Sequence, residues 1–124
     1  VFGPVAAHLA GGAALREAGT PVDPTSLVRL PELVPRTDGA TRIVHVVEID
    51  GFGNVITNAA LPQSQHVTLA GRAVTVGTTF GDVPPGELVL YEDSAGDVAL
   101  ARNGGSAAGL LGLKTGDELR LEPA

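Results

Sequence analysis

Arg42-Ile43-Val44-His45-Val46-Val47-Glu48-Ile49-Asp50-Gly51-Phe52-Gly53-Asn54-Val55-Ile56-Thr57-Asn58 reads as strand, turn, strand. Its first half is dense in β-branched side chains, which are stiff at χ1 and pack well on a pleated surface. Gly51 and Gly53 then permit a sharp reversal, and Val55 to Thr57 resumes the strand pattern. Downstream, Val67 to Leu69, Ala73 to Val76, Leu88 to Tyr91, Val98 to Ala101 and Glu118 to Leu121 bring the number of short strands to about seven. Turn signals separate them: Gly71-Arg72, Pro84-Pro85-Gly86, Ala95-Gly96-Asp97 and Thr115-Gly116-Asp117. Many short strands joined by glycine- and proline-rich turns predict a mainly β fold, a small closed Greek-key-like barrel over residues 40–124. Ser106 to Leu111 is the helical candidate within it, with Ser106 as N-cap.

Upstream the pattern differs. Pro4 to Gly11 carries a helix signal, with proline acceptable in a first turn and Gly11-Gly12 as the stop. Ala13 to Ala18 could add a short helical turn before Gly19. Pro21, Pro24, Pro31 and Pro35 fix φ and lack amide donors, so residues 20–39 read as an extended connector. Residues 1–19 then read as the tail end of a preceding α/β domain. The chain has no methionine, position 1 included, and opens directly into an apolar helical stretch. The expectation is a fragment or processed chain.

The bulk composition narrows the functional classes. With 44% apolar and 18% charged residues the 124-residue chain has a globular composition and the size of one domain. Its net charge of −6 argues against a nucleic-acid backbone as partner. No apolar run approaches the roughly 18 residues of a membrane span. Lack of cysteine removes disulfides and thiolate metal sites and fits a cytoplasmic compartment. His8, His45 and His66 are scattered, so no metal site is expected. Ser26, Ser64 and Ser106 lack a nucleophile-elbow context.

Three segments could carry binding chemistry. In Asp50 to Asn54, two glycines flank Phe52, one of only three phenylalanines, and could present its ring for stacking on a purine. Asn54 offers an acceptor and donors in one plane, matching adenine N6 and N7, and Asp50 could hold an ammonium group. The alternative is a tight turn in which Asp50 and Asn54 bond their own backbone and Phe52 joins the core. In the second segment, a strand ends in Arg102-Asn103-Gly104-Gly105 and meets a helix start, which could cradle an electron-rich edge or an anion. A plain glycine-rich turn with Arg102 solvated is the alternative. The third, Thr79-Phe80-Gly81-Asp82, either sets a second ring beside the first or ends a hairpin with a core phenylalanine.

Taken together, Asp50 to Asn58, Thr79 to Glu87 and Arg102 to Leu113 resemble one family in order and wording. It is the S-adenosylmethionine hydroxide adenosyltransferases, relatives of the fluorinating and chlorinating enzymes. The resemblance implies that Val1 to Ala10 is the last helix of an N-terminal α/β domain and that the barrel is the C-terminal domain. It implies hydrolysis of S-adenosylmethionine to adenosine and methionine, by attack of a water-derived hydroxide at C5′, with no cofactor. It also implies a homotrimer whose sites lie between the N-terminal domain of one subunit and the C-terminal domain of its neighbour.

By position, Asp50 then receives the methionine ammonium, Phe52 and Phe80 wall the adenosyl part, and Asn54 contacts adenine. Ser94 falls where the methionine portion binds, and Arg102 and Gly104 where the adenine edge meets side chain and backbone. Ala95, which replaces an arginine of the fluorinating relatives, and an Asp-to-Phe spacing one residue shorter lean toward the hydroxide-using branch; Arg102 leans toward the halogenases. The family's nucleophile-activating Asp/Arg/His set belongs to the N-terminal domain. This chain therefore carries no catalytic residue by that reading and should not catalyse the reaction alone. A non-catalytic barrel that binds a nucleoside or serves assembly is the alternative.

Overall fold

The computed structural model describes residues 2–29 and 32–124. Val1, in the expected tail helix, and Leu30 and Pro31, in the expected connector, lie outside them. The chain divides into two compact units, Val1–Pro31 and Glu32–Ala124. In the first, helix α1 covers Phe2–Ala10 and stops at Gly12, whose φ of +95° suits glycine. Single 3-10 turns follow at Leu15–Glu17 and Pro24–Ser26, the second capped by Asp23 through the Thr25 amide.

The second unit is the barrel. Its strands are β1 (Arg36–Asp38), β2 (Thr41–Ile49), β3 (Val55–Thr57), β4 (His66–Leu69), β5 (Arg72–Val76), β6 (Leu88–Glu92), β7 (Val98–Arg102) and β8 (Glu118–Pro123). They run in the order β1-β2-β3-β7-β6-β5-β4-β8, and a β2–β8 pairing closes β2 through β8 into a seven-stranded barrel. The expected mainly β barrel with a short N-terminal helix is therefore the fold. All seven strands read from the sequence are present. β1, within the stretch read as connector, is added to them through its antiparallel pairing with β2.

Residue alternation places the core. Val44, Val46, Val55, Val67, Leu69, Val74, Leu88, Leu90, Val98, Leu100, Leu119 and Leu121 fill the barrel, and Ala107 and Ala108 of helix α2 (Ala107–Leu111) pack against it. Thr57 is buried too, and its hydroxyl donates to the Val98 carbonyl at 2.9 Å, which satisfies it. Val89 and Ala101 face the other way and are also buried, beneath Val83 and Tyr91. β6 and β7 are thus covered on both faces, which accounts for their unbroken apolar runs.

Two irregularities position the functional end. The register between β2 and β3 shifts between Val46 and Glu48, which leaves Val47 as an extra residue on β2. The bulge turns the final residues of β2 and the loop that follows. The barrel is also mixed: β5 and β6 are parallel, with Thr75 opposite Val89. A parallel pair cannot be closed by a tight hairpin, so residues 77–87 must travel back along the barrel before β6 begins. That return segment contains Phe80.

Leu100 lies at the centre of β7, fully buried and opposite both Val55 and Leu90. Leu100→Ala should lower unfolding stability by about 2–5 kcal/mol. Urea denaturation checks this, and a change under about 1 kcal/mol would contradict the core assigned here.

Candidate functional site

The β2–β3 loop is built by one side chain. Asp50 Oδ1 accepts the backbone N–H groups of Phe52 and Asn54, each at 2.9 Å, and Oδ2 accepts Asn54 Nδ2 at 2.8 Å. The backbone closes the same turn through Asp50 N–H to the Asn54 carbonyl and Gly53 N–H to the Asp50 carbonyl. The Phe52 ring takes no part in these bonds, and the residue stands 84% exposed. The expectation of a side chain bonded to its own turn backbone thus holds for Asp50, whereas the Asn54 side chain bonds the Asp50 carboxylate and Phe52 stays out of the core. Burial works to raise the Asp50 carboxyl, but hydrogen bonds from the backbone and side chain of Asn54 and from Phe52 and Gly53 outweigh it, so its pKa lies below the ordinary value.

The same scaffold recurs at Asp93 to Asp97. Asp93 Oδ1 accepts the amides of Ala95 and Asp97, and Gly96 takes the glycine position with φ +88°, against +85° at Gly53. Ser94 is exposed on this second turn. It sits beyond the Val98 end of β7, whereas the first turn meets β7 near its Leu100 end.

Gly53 brings the first turn against the Arg102 segment. Its carbonyl accepts the Ala108 amide at 3.0 Å, and a Cβ built on it would come within 2.6 Å of Ser106 Cβ and still closer to Ser106 Oγ. Only glycine fits that approach. Ser106 Oγ in turn accepts the Gly109 amide and caps α2. The Ala108 and Gly109 amides are therefore already bonded, so the expected anion cradle at this helix start has lost two of its donors.

The crossover loop supplies the third wall. Asp82 Oδ2 accepts the amides of Thr78 and Thr79 and the Thr78 hydroxyl, which folds Phe80–Asp82 into a single 3-10 turn. The loop is fastened to the end of β7 by Asn103, whose Nδ2 donates to the Val83 carbonyl at 2.8 Å and whose backbone bonds Gly86 and Glu87. Arg102 Nε donates to the Gly86 carbonyl at 3.0 Å, and its chain lies along Gly105, leaving both terminal NH2 groups for a ligand. Phe80 is 46% exposed and meets Tyr91 edge to face, with centroids 5.4 Å apart.

Phe52, Asn54, Phe80, Arg102, Asn103, Gly104, Gly105 and Ser106 together line one open groove of about 450 Å³. Of the residues expected from sequence, Phe52, Asn54, Phe80, Arg102 and Gly104 converge there. Asp50 frames the groove through Asn54, and Ser94 is not among its lining residues. Sequence reasoning does not single out Asn103 or Tyr91. No pattern marks Asn103, but Tyr91, as the single tyrosine of an aromatic-poor chain, is a signal that could have been read. Burial raises the Tyr91 phenol pKa, and the charges of Asp93 and Asp50 add to the effect. The ring thus lies within the field of both aspartate turns. The groove offers two exposed rings, two amides, a guanidinium and the Ser106 hydroxyl, which caps α2. Exposed rings beside polar side chains can take a flat heteroaromatic group with a polar edge.

Residues 44–120 match the C-terminal domain family of the SAM hydroxide adenosyltransferases. The chain is 51% identical to an (R)-S-adenosyl-L-methionine hydrolase of Salinispora tropica, covering 98% of this chain and 48% of that protein. Proteins of the same name are 49% identical in Salinispora arenicola, with the same coverage, and 43% identical in Thermus thermophilus, covering 98% of this chain and 46% of that one. Among solved structures, a conserved hypothetical protein from Thermus thermophilus superposes with TM-score 0.71 at 43% identity, over 97% of this chain and 50% of that one. An uncharacterized conserved protein from Thermotoga maritima gives TM-score 0.70 at 33% identity, over 98% and 50%. The chain spans about half the length of each relative.

Two measurements test the construction of the groove. Gly53→Ala adds a Cβ in a left-handed conformation against Ser106 and should cost at least about 2 kcal/mol of stability by urea unfolding; a neutral substitution would contradict the close approach. Because the Asp50 carboxyl is held below its ordinary 3.8, its contribution to the turn is complete above that pH and drains away as pH falls through the lower, folded-state value. A carbon-13 titration of Asp50 should show a midpoint below 3.8, and one at or above it would mean the turn is not held this way.

Proposed function

Because this chain belongs to the SAM hydroxide adenosyltransferase family through its C-terminal domain, we propose that it is the adenosine-binding part of an enzyme that hydrolyses S-adenosyl-L-methionine to adenosine and methionine. The observation that carries the reading is the convergence of three separate segments, at Phe52 and Asn54, at Phe80, and at Arg102 and Gly104, on a single groove. Phe52 and Phe80 supply stacking surface for a purine, and Asn54 and Arg102 supply polar partners for its edge. Gly104, with φ +74° and open space where a Cβ would stand, lets a ring approach the backbone.

Ser94 fits the same scheme at longer range. In this reading the methionine portion lies toward Ser94, on the second aspartate turn, and its ammonium toward Asp50, on the first. Asp50 keeps one lone pair, on Oδ2, for that contact after accepting the Phe52 and Asn54 amides and Asn54 Nδ2. The hydroxide that attacks C5′ would be activated by an Asp/Arg/His set on the N-terminal domain of a neighbouring subunit in a cytoplasmic homotrimer. A cleft closed between subunits would exclude bulk water and strengthen the attraction between hydroxide and sulfonium. This chain's share is to hold and orient the nucleoside.

The full-length protein should release adenosine and methionine from S-adenosylmethionine with no halide present, measured by chromatography. Turnover that requires chloride or fluoride would replace the hydrolase by the halogenase branch, toward which Arg102 leans. Phe52→Ala and Asn54→Ala should each weaken S-adenosylmethionine binding by about 1–3 kcal/mol, the scale of a stacked base or a good bidentate pair. Unchanged Michaelis constants in both would remove this groove from the active site.

A further inference from the structure

The Asn54 amide is held one way round by a charge. Its Nδ2 donates to Asp50 Oδ2 at 2.8 Å, and an ionised carboxylate can only accept. Reversing the amide would set the Asn54 carbonyl oxygen against the carboxylate. Asp50 itself is fixed, because its other oxygen takes the backbone amides of Phe52 and Asn54. Asn54 Oδ1 accepts nothing from the described residues, and Asn54 lines the groove.

We propose that Asp50 is a specificity-determining positioning residue: by holding the Asn54 nitrogen it commits the Asn54 carbonyl oxygen to the ligand, and so selects a purine with a 6-amino donor over one with a 6-oxo acceptor. The inference rests on the reading of the groove as an adenosine site and assigns the residue that enforces the choice of base. The rings and the guanidinium do not make that choice. Phe52 and Phe80 stack on any purine, and the Arg102 guanidinium, which only donates, by itself favours the oxo group. The orientation of the Asn54 amide decides between the two.

Asp50→Asn tests this with little change of shape. The new side chain keeps an oxygen for the two backbone amides, but turns an NH2 group toward Asn54, which must then offer its carbonyl there and its own NH2 to the groove. Calorimetry on the full-length protein compares adenosine with inosine, ligands without an ammonium, so any contact between Asp50 and methionine plays no part. The wild type should prefer adenosine by at least about fivefold, and the variant, folded as judged by circular dichroism, should lose or reverse that preference. A preference kept in Asp50→Asn overturns the inference and leaves the proposed function standing. A wild type that binds neither nucleoside overturns the nucleoside-site reading itself, and the inference falls with it. Independently of ligand, the Asn54 side-chain NH2 protons should exchange with solvent more slowly than those of the exposed Gln63 and Gln65; equal rates mean that no lock exists.

Discussion

The backbone of Gly53 approaches Ser106 too closely for any side chain to intervene, and the groove depends on that contact. On one side of it is the turn that carries Phe52 and Asn54; on the other is the capped start of α2, immediately after the Arg102 segment. The Gly53 carbonyl bonds the Ala108 amide, so the two segments are joined by a hydrogen bond as well as by packing. Separating them would expose the Ala108 donor and uncouple the Asn54 amide from the guanidinium with which it shares a ligand. The contact has no charge and little apolar area. Its importance is geometric, because it fixes the distance between two recognition elements drawn from residues about fifty apart in the chain.

A second constraint comes from topology. The parallel β5–β6 pair obliges the chain to return along the barrel, and the return loop passes the end of the barrel where the first two elements meet. Asp82 folds the loop, Asn103 fastens it, and Phe80 is left facing the groove against Tyr91. Binding residues on loops held by a rigid scaffold are the common arrangement. Here the loop exists because of the sheet's own connectivity, and recognition makes use of it.

The strands were legible because β-branched residues and alternation mark them directly, as in Thr41–Ile49 and Leu88–Glu92. β1 was not: Arg-Thr-Asp has no apolar face, and it is a strand only because β2 offers it a free edge. The parallel pairing was equally hidden, since alternation gives a strand's faces and not the direction of its neighbour. At the site, residue types left Asp50 between a turn former and an ammonium partner. The structure shows it bonded within its turn while retaining one unused lone pair. The recurrence of Asp, three residues later Gly, then Asn or Asp, at Asp50 to Asn54 and Asp93 to Asp97, was visible in the sequence and points to the shared backbone scaffold. Asn103 carries no such signature. Its role follows from which carbonyl its side chain reaches, and that is decided by the crossover loop.

The placement of Tyr91 has an optical consequence. It is the chain's only tyrosine, and the chain has no tryptophan, so the intrinsic fluorescence of the polypeptide comes from one ring in contact with a wall of the groove. A purine drawn into stacking contact with Phe80 would change the surroundings of that emitter, and so would a displacement of the crossover loop. Residues 1–124 therefore contribute a single tyrosine emitter, and it sits against a wall of the groove.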